Sequence, residues 1–101
     1  GTGVEQNFVD AERWYRKAAK QGYTNSMFFL GTLYSNGYGQ DKSHPADVIA
    51  YAWMHNAAAL GNGTAASIES RLLMKLQDNQ MGEAKTLASD YEEDYVKPFK
   101  N

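Results

Sequence analysis

Ala11–Gly22 reads AERWYRKAAKQG, and Ala50–Gly61 reads AYAWMHNAAALG. Laid over one another, Ala11, Trp14, Ala18, Ala19 and Gly22 fall on Ala50, Trp53, Ala57, Ala58 and Gly61, at a constant offset of 39 residues. A tryptophan, a pair of small residues and a glycine in the same register twice make an internal repeat. Periods of roughly 20–50 residues mark helical arrays and related solenoids. In the first copy the apolar positions Ala11, Trp14, Tyr15, Ala18 and Ala19 are spaced three and four apart, which makes one face of a helix. Gly22 stands where a helix-ending residue turns left-handed.

Working outward, Thr24 to Asn36 predicts a second helix with Thr24 or Asn25 as its cap. Met27, Phe28, Leu30, Gly31, Leu33 and Tyr34 make most of it apolar. An interior glycine costs a helix up to ~1 kcal/mol against alanine, so Gly31 implies a close helix–helix approach. Gly37 and Gly39 stop this helix and open the loop GYGQDKSHP. Upstream, Gly1–Asn7 reads as loop, with Gly1 and Gly3 resembling Gly37 and Gly39, so the first helix is expected from about Phe8 to Gly22. Glu12 lies one turn before Arg16, an exposed pair worth ~0.3 kcal/mol. Downstream, Pro45 suits the first turn of a third helix that carries Val48, Ile49, Ala52, Trp53, Ala57 and Leu60 and ends at Gly61. A fourth helix follows Gly63 and Thr64, with Ala65, Ile68, Leu72, Leu73 and Leu76 inward. A fifth spans about Asp78 to Lys97, burying Met81, Ala84, Leu87, Ala88, Tyr91 and Tyr95, and Pro98 closes it. Its outer face carries Glu83, Asp90, Glu92, Glu93 and Asp94. Five short antiparallel helices and no strands define an all-α chain.

At 101 residues the chain is a single domain with a modest core. Cysteine is absent, which removes disulfides and thiolate metal sites. A net charge of −2 argues against a general nucleic-acid binder, whose surface carries a basic field. No apolar run approaches the ~20 residues that cross a bilayer, so no membrane insertion is expected. Nothing resembles a signal peptide. The compartment stays open: cytoplasmic, or periplasmic or secreted if a leader precedes this sequence.

The pattern Leu30-Gly31, Tyr34, Gly37, Gly39, then Ala50, Trp53, Ala57-Ala58 and Gly61 resembles the Sel-1-like repeat, a relative of the tetratricopeptide repeat. The preceding half-copy supplies Gly1, Gly3, Val4, Ala11, Trp14, Tyr15, Ala18, Ala19 and Gly22. The matching region covers about residues 1–61. The resemblance implies a right-handed α/α superhelical solenoid of antiparallel helix pairs with a C-terminal capping helix. On that pattern residues 1–22 are the second half of a truncated repeat, 23–61 one full repeat, and 62–101 a C-terminal helix pair and tail, like those that end bacterial arrays. The opening helix of the first repeat is then missing. The chain would be the C-terminal piece of a longer array, with Trp14 or Tyr15 partly uncovered. The sequence departs from the family pattern in places. The loop from Gly39 to Ala50 spans 11 positions against 8 from Gly3 to Ala11. Gln40 replaces the usual valine, Met54 stands where Tyr15 stands, and the fourth helix has Glu69 and Ser70 near its missing signature.

His44 and His55 lie eleven residues apart, on a loop and a helix, without metal-ligand spacing. Both read as solvated. No phosphate-cradling loop, nucleophile elbow or triad spacing appears. No catalytic residue, metal or cofactor is expected. Arg13, Arg16, Lys17 and Lys20 share one face that reads as a solvated helix back, as does the acidic run Asp90–Asp94. Phe29 shares a face with Asn25, Thr32 and Asn36, and the family resemblance puts that face in a concave groove. An aromatic flanked by amides is the composition of a peptide hot spot. The rival account packs Phe29 on the missing upstream helix. The expected function is a protein–protein scaffold binding a peptide or protein partner at Asn25, Phe29, Thr32 and Asn36. Trp14, Gly22, Leu30, Gly31, Tyr34, Gly37, Gly39, Trp53, Ala57 and Gly61 act as structural cement. Two alternatives are a structural module whose fourth and fifth helices end the array or mediate self-association, with the truncated N-terminal edge as a further self-association surface, and a small-molecule binder or enzyme acting on cell-wall compounds, as the resemblance allows.

Overall fold

The small pair and glycine of each repeat copy form a single helix stop. In a computed structural model, which describes residues 2–99 and the side chains of 8–98, Tyr23 N–H donates to Ala18 O at 3.3 Å and Gly22 N–H to Ala19 O at 2.9 Å. One repeat later Asn62 N–H donates to Ala57 O at 3.1 Å and Gly61 N–H to Ala58 O at 2.9 Å. Both glycines take positive φ, 86° and 105°. This double closure satisfies carbonyls that a helix end leaves orphaned. It also reverses the chain, so each stop sets up an antiparallel neighbour.

The elements are α1 (Thr2–Lys20), α2 (Thr24–Ser35), α3 (Ala46–Ala59), α4 (Gly63–Lys75) and α5 (Asp78–Tyr91). A π-helical turn (Glu92–Val96) and a 3₁₀ turn (Lys97–Phe99) follow α5. The described residues contain no strand. α3 is the hub, packed against α2, α4 and α5. Nine of its residues are buried, including Trp53 and Asn56. The core joins α3 to Met27, Leu30 and Tyr34 of α2, Leu72 of α4, and Ala84 and Ala88 of α5. Each large side chain buried there contributes about 1.5–3 kcal/mol. The radius of gyration, 12.8 Å, matches a compact domain of this length, so the helix pairs stack in contact. The architecture is an all-α helical repeat solenoid.

Several local expectations need correction. Thr2–Asn7 continue α1 instead of forming a loop, so Gly3 is helical where Gly39 lies in a loop. Adding residues to an existing helix gains a bond each without a new nucleus, and nothing after Gly3 breaks the run. Gly1 lies outside the described residues. Neither Thr24 nor Asn25 caps α2: Tyr23 holds that position, and its carbonyl accepts from Ser26 N–H at 3.2 Å. Pro98 sits within the 3₁₀ turn, after α5 has already widened into the π turn.

The two tryptophans have unequal roles. Trp53 is fully buried. Tyr91 and Tyr95 press on it with ring centroids at 4.5 and 4.9 Å, and the Arg16 guanidinium lies over it at 5.6 Å. Trp14 is 69% exposed, touched by the Lys17 ammonium at 5.4 Å. Cement describes Trp53 and not Trp14. Gly31 does mark a close approach, because a Cβ there would meet Met54 Cε at 2.8 Å.

Candidate functional site

Buried tyrosines need a partner for the phenol, and Tyr34, 1% exposed, finds several. Its hydroxyl donates to Glu12 Oε2 at 2.6 Å. It accepts from Arg16 Nη2 at 2.9 Å and from Asp41 N–H at 2.9 Å. Arg16 Nε reaches the same Glu12 oxygen at 2.8 Å, while Glu12 Oε1 accepts from Gln40 N–H at 2.7 Å. Glu12, far from exposed, is buried, and Arg16 turns inward from the solvated stripe where Arg13, Lys17 and Lys20 remain. This knot ties α1, the end of α2 and the Gly37–Asp41 loop together. Burial, then the bond to Glu12, pushes the Tyr34 phenol up to about 12. Burial alone would lower the Arg16 value, but its bonds to Glu12 and Tyr34 overcome that and raise it. Bonds from the Ser43 hydroxyl and N–H hold the Asp41 carboxyl below its ordinary value. Gly39 completes the knot: a Cβ there would lie 2.0 Å from the Tyr34 ring.

One repeat later the knot's positions read Tyr51, His55 and Leu73, and a different cluster replaces it. His55 Nδ1 meets Glu69 Oε2 at 2.7 Å and its Nε2 meets Glu92 Oε1 at 3.7 Å, so this histidine bridges α3, α4 and the π turn. It is not the bare surface residue expected. Burial and then the charge of Glu69 raise the Tyr51 phenol, whose ring stacks on His55. His44 likewise pairs with Glu83 of α5. Its loop lines a cavity of about 250 Å³ with Tyr34, Asp41 and Lys42. The Tyr34 hydroxyl and Asp41 Oδ1 there are already engaged, and no serine, threonine or cysteine is among its lining residues. Among the described residues no group of three or more His, Asp or Glu side chains is placed to hold a metal ion.

The predicted partner face is intact as a surface. Asn25, Phe29 and Asn36 are exposed and Thr32 is half-buried, while Ser26, Met27, Leu30, Gly31 and Tyr34 on the rest of α2 are buried. Phe29, 48% exposed, stacks on Tyr15 of α1 at 5.2 Å, so it is braced within the chain. The Thr32 hydroxyl donates to Phe28 O at 3.0 Å. Beside this face lies a feature the sequence reading missed, a cleft of about 430 Å³ lined by Ser35 of α2 and by Ile68, Arg71, Leu72, Met74 and Lys75 of α4. Ile68, Arg71 and Lys75 sit 39 residues after Phe29, Thr32 and Asn36, so the repeat register alone could have found them. The absence of the family signature from α4 hid them.

The Sel1 repeat family model matches residues 1–23 and 24–62. A putative sel1-like repeat-containing protein of Acanthamoeba polyphaga mimivirus is 34% identical over 62 residues, covering 59% of this chain. The matched stretch spans only 12% of that relative's length. With two matched copies running through the repeat register described above, the chain belongs to the Sel1 repeat family.

Proposed function

We propose that this chain is a non-enzymatic adaptor that holds a peptide segment of a partner protein along α2. Sel1 repeats generally serve protein–protein interaction, and that family role supports the reading. The observation that carries it is the uncovered face of α2: Asn25, Phe29 and the C-cap residue Asn36 remain exposed, while Ser26, Met27, Leu30, Gly31 and Tyr34 are buried on the core side of the helix. Its amides suit the polar backbone of an extended peptide, and Phe29, already braced by Tyr15, loses little side-chain freedom on binding. The net charge of −2 favours protein over nucleic acid as partner. Among the described residues no helix is long and apolar enough to cross a membrane.

The test compares capture of a partner by the wild type and by Asn25→Ala, Phe29→Ala and Asn36→Ala, with thermal melts alongside. Phe29→Ala should lower stability by about 0.5–1.5 kcal/mol, the worth of one aromatic pair. All three should weaken capture, the two asparagine variants without change in melting temperature. Undiminished capture by all three removes the reading. A second reading, self-association through the outward face of α1, is favoured by the 69% exposure of Trp14. A dimer in sedimentation that Trp14→Glu abolishes would establish it, and a monomeric wild type dismisses it.

A further inference from the structure

The cleft beside α2 combines an apolar floor with two cations. Leu72 is almost fully buried at its base, Ile68 is half-buried, and Met74 is 85% exposed at the rim. α2 and α4 make little direct contact, which leaves the space between them open. Arg71 and Lys75 stand one turn apart on α4, both exposed, both lining the cleft. Among the described residues neither has an ion-pair partner. The carboxylate of α4 itself, Glu69, is taken by His55. Like charges at i, i+4 oppose helix formation slightly, so α4 carries this pair at a small loss that an anionic occupant would reverse. The chain as a whole is acidic, which makes an unpaired cationic pair beside an apolar hollow a local feature and not a reflection of composition.

We propose that the α2–α4 cleft takes an acidic linear peptide segment, one apolar side chain seated on Ile68, Leu72 and Met74 and its neighbouring Asp or Glu carboxylates on Arg71 and Lys75. This rests on the peptide-holding role of α2 and adds the chemistry of what is held. The cleft, at about 430 Å³, has room for such a side chain. Methionine at the rim, flexible and polarisable, tolerates aliphatic and aromatic occupants alike. The charges set orientation and the class of partner, and the hollow supplies contact area.

Panning a random linear peptide library on the immobilised protein tests this. Selected peptides are resynthesised with amidated C-termini, so that only side-chain carboxylates carry negative charge, and titrated by fluorescence anisotropy. The expected pool has Leu, Ile, Met or Phe beside Asp or Glu, binds Arg71→Glu/Lys75→Glu about tenfold or more weakly than wild type, and weakens with rising salt. Circular dichroism melts of the double variant should match wild type, since both positions are exposed. A pool without acidic enrichment that loses binding to Phe29→Ala but not to the charge-reversed variant overturns the acidic assignment and leaves the peptide-holding role standing. No enrichment over successive rounds overturns both. Polyglutamate or a single-stranded oligonucleotide binding as tightly as the selected peptides overturns the apolar anchor.

Discussion

Glu12 and Tyr34 carry an energetic weight out of proportion to their number. An exposed Glu–Arg pair one turn apart is worth ~0.3 kcal/mol, but Glu12 is 4% exposed and anchors an arginine, a phenol and a loop amide together. Removing one partner of a buried charged network leaves the other unpaired, so Glu12→Ala should cost about 3 kcal/mol in urea unfolding. Tyr34→Phe should cost about 1–2 kcal/mol and should also change the pH profile. An unfolded tyrosine titrates near pH ~10, whereas folded Tyr34 holds its proton up to about 12. Its contribution is whole below the lower value and is lost as pH rises through the upper one. The wild type should therefore lose stability between those values more steeply than Tyr34→Phe. Part of the slope remains in the variant, because burial raises the Tyr51 and Tyr91 phenols too. Equal slopes would remove Tyr34 from the account. The tryptophans give a paired test: Trp53→Ala should cost about 3–5 kcal/mol, and Trp14→Ala should stay within about 0.5 kcal/mol.

Helices, their stops and their order were legible because they depend on residues close in sequence. The alanine pair and glycine at Ala18–Gly22 and Ala57–Gly61 contain nearly all the geometry of a helix stop, so the repeat disclosed the turns before any contact was known. Glu12 was not legible. Its burial comes from Gln40 and Tyr34, 28 and 22 residues away, and no local spacing announces them. A tyrosine between Gly31 and Gly37 could have signalled it, since a buried phenol requires an acceptor and few carboxylates are within reach. The exposure of Asn25, Phe29 and Asn36 was legible from helical period, and the repeat register carries that face onto Ile68, Arg71 and Lys75, but that these enclose a cleft was not legible, because it depends on how far α4 stands from α2. The α2–α3 approach is where sequence and packing meet most directly. Gly31→Ala would put a methyl against Met54, 2.8 Å from its Cε, and overpacking of this kind costs about 1–3 kcal/mol. Met54→Ala alone opens a cavity at about 2–5 kcal/mol. Together they should lose less than the sum of the two, by about 1 kcal/mol or more in a double-mutant cycle, because the added methyl fills vacated space. Strict additivity would mean that Gly31 is required for something other than the approach of α3.

Across the whole molecule, stability is distributed by how each helix is enclosed. α3 has neighbours on three sides and nine buried residues of fourteen, whereas α4 buries two of thirteen, Ala65 and Leu72. α4 is held chiefly by α3, through that narrow stripe and the His55–Glu69 bond. In a stacked array each unit contacts only its neighbours, so a thinly buried element can open while the rest stays folded. Native-state hydrogen exchange should therefore find the α3 amides exchanging only through global unfolding. The α4 amides should exchange through a partial opening of lower free energy. That opening should become easier still in His55→Ala, which removes the bridge to Glu69 and Glu92, while the α3 amides shift only by the change in global stability. Because α4 also forms the cleft with Arg71 and Lys75, occupancy there by an acidic peptide should slow α4 exchange more than that of α1. If the α3 and α4 amides instead exchange at one common free energy, the five helices form a single cooperative unit and α4 does not open on its own.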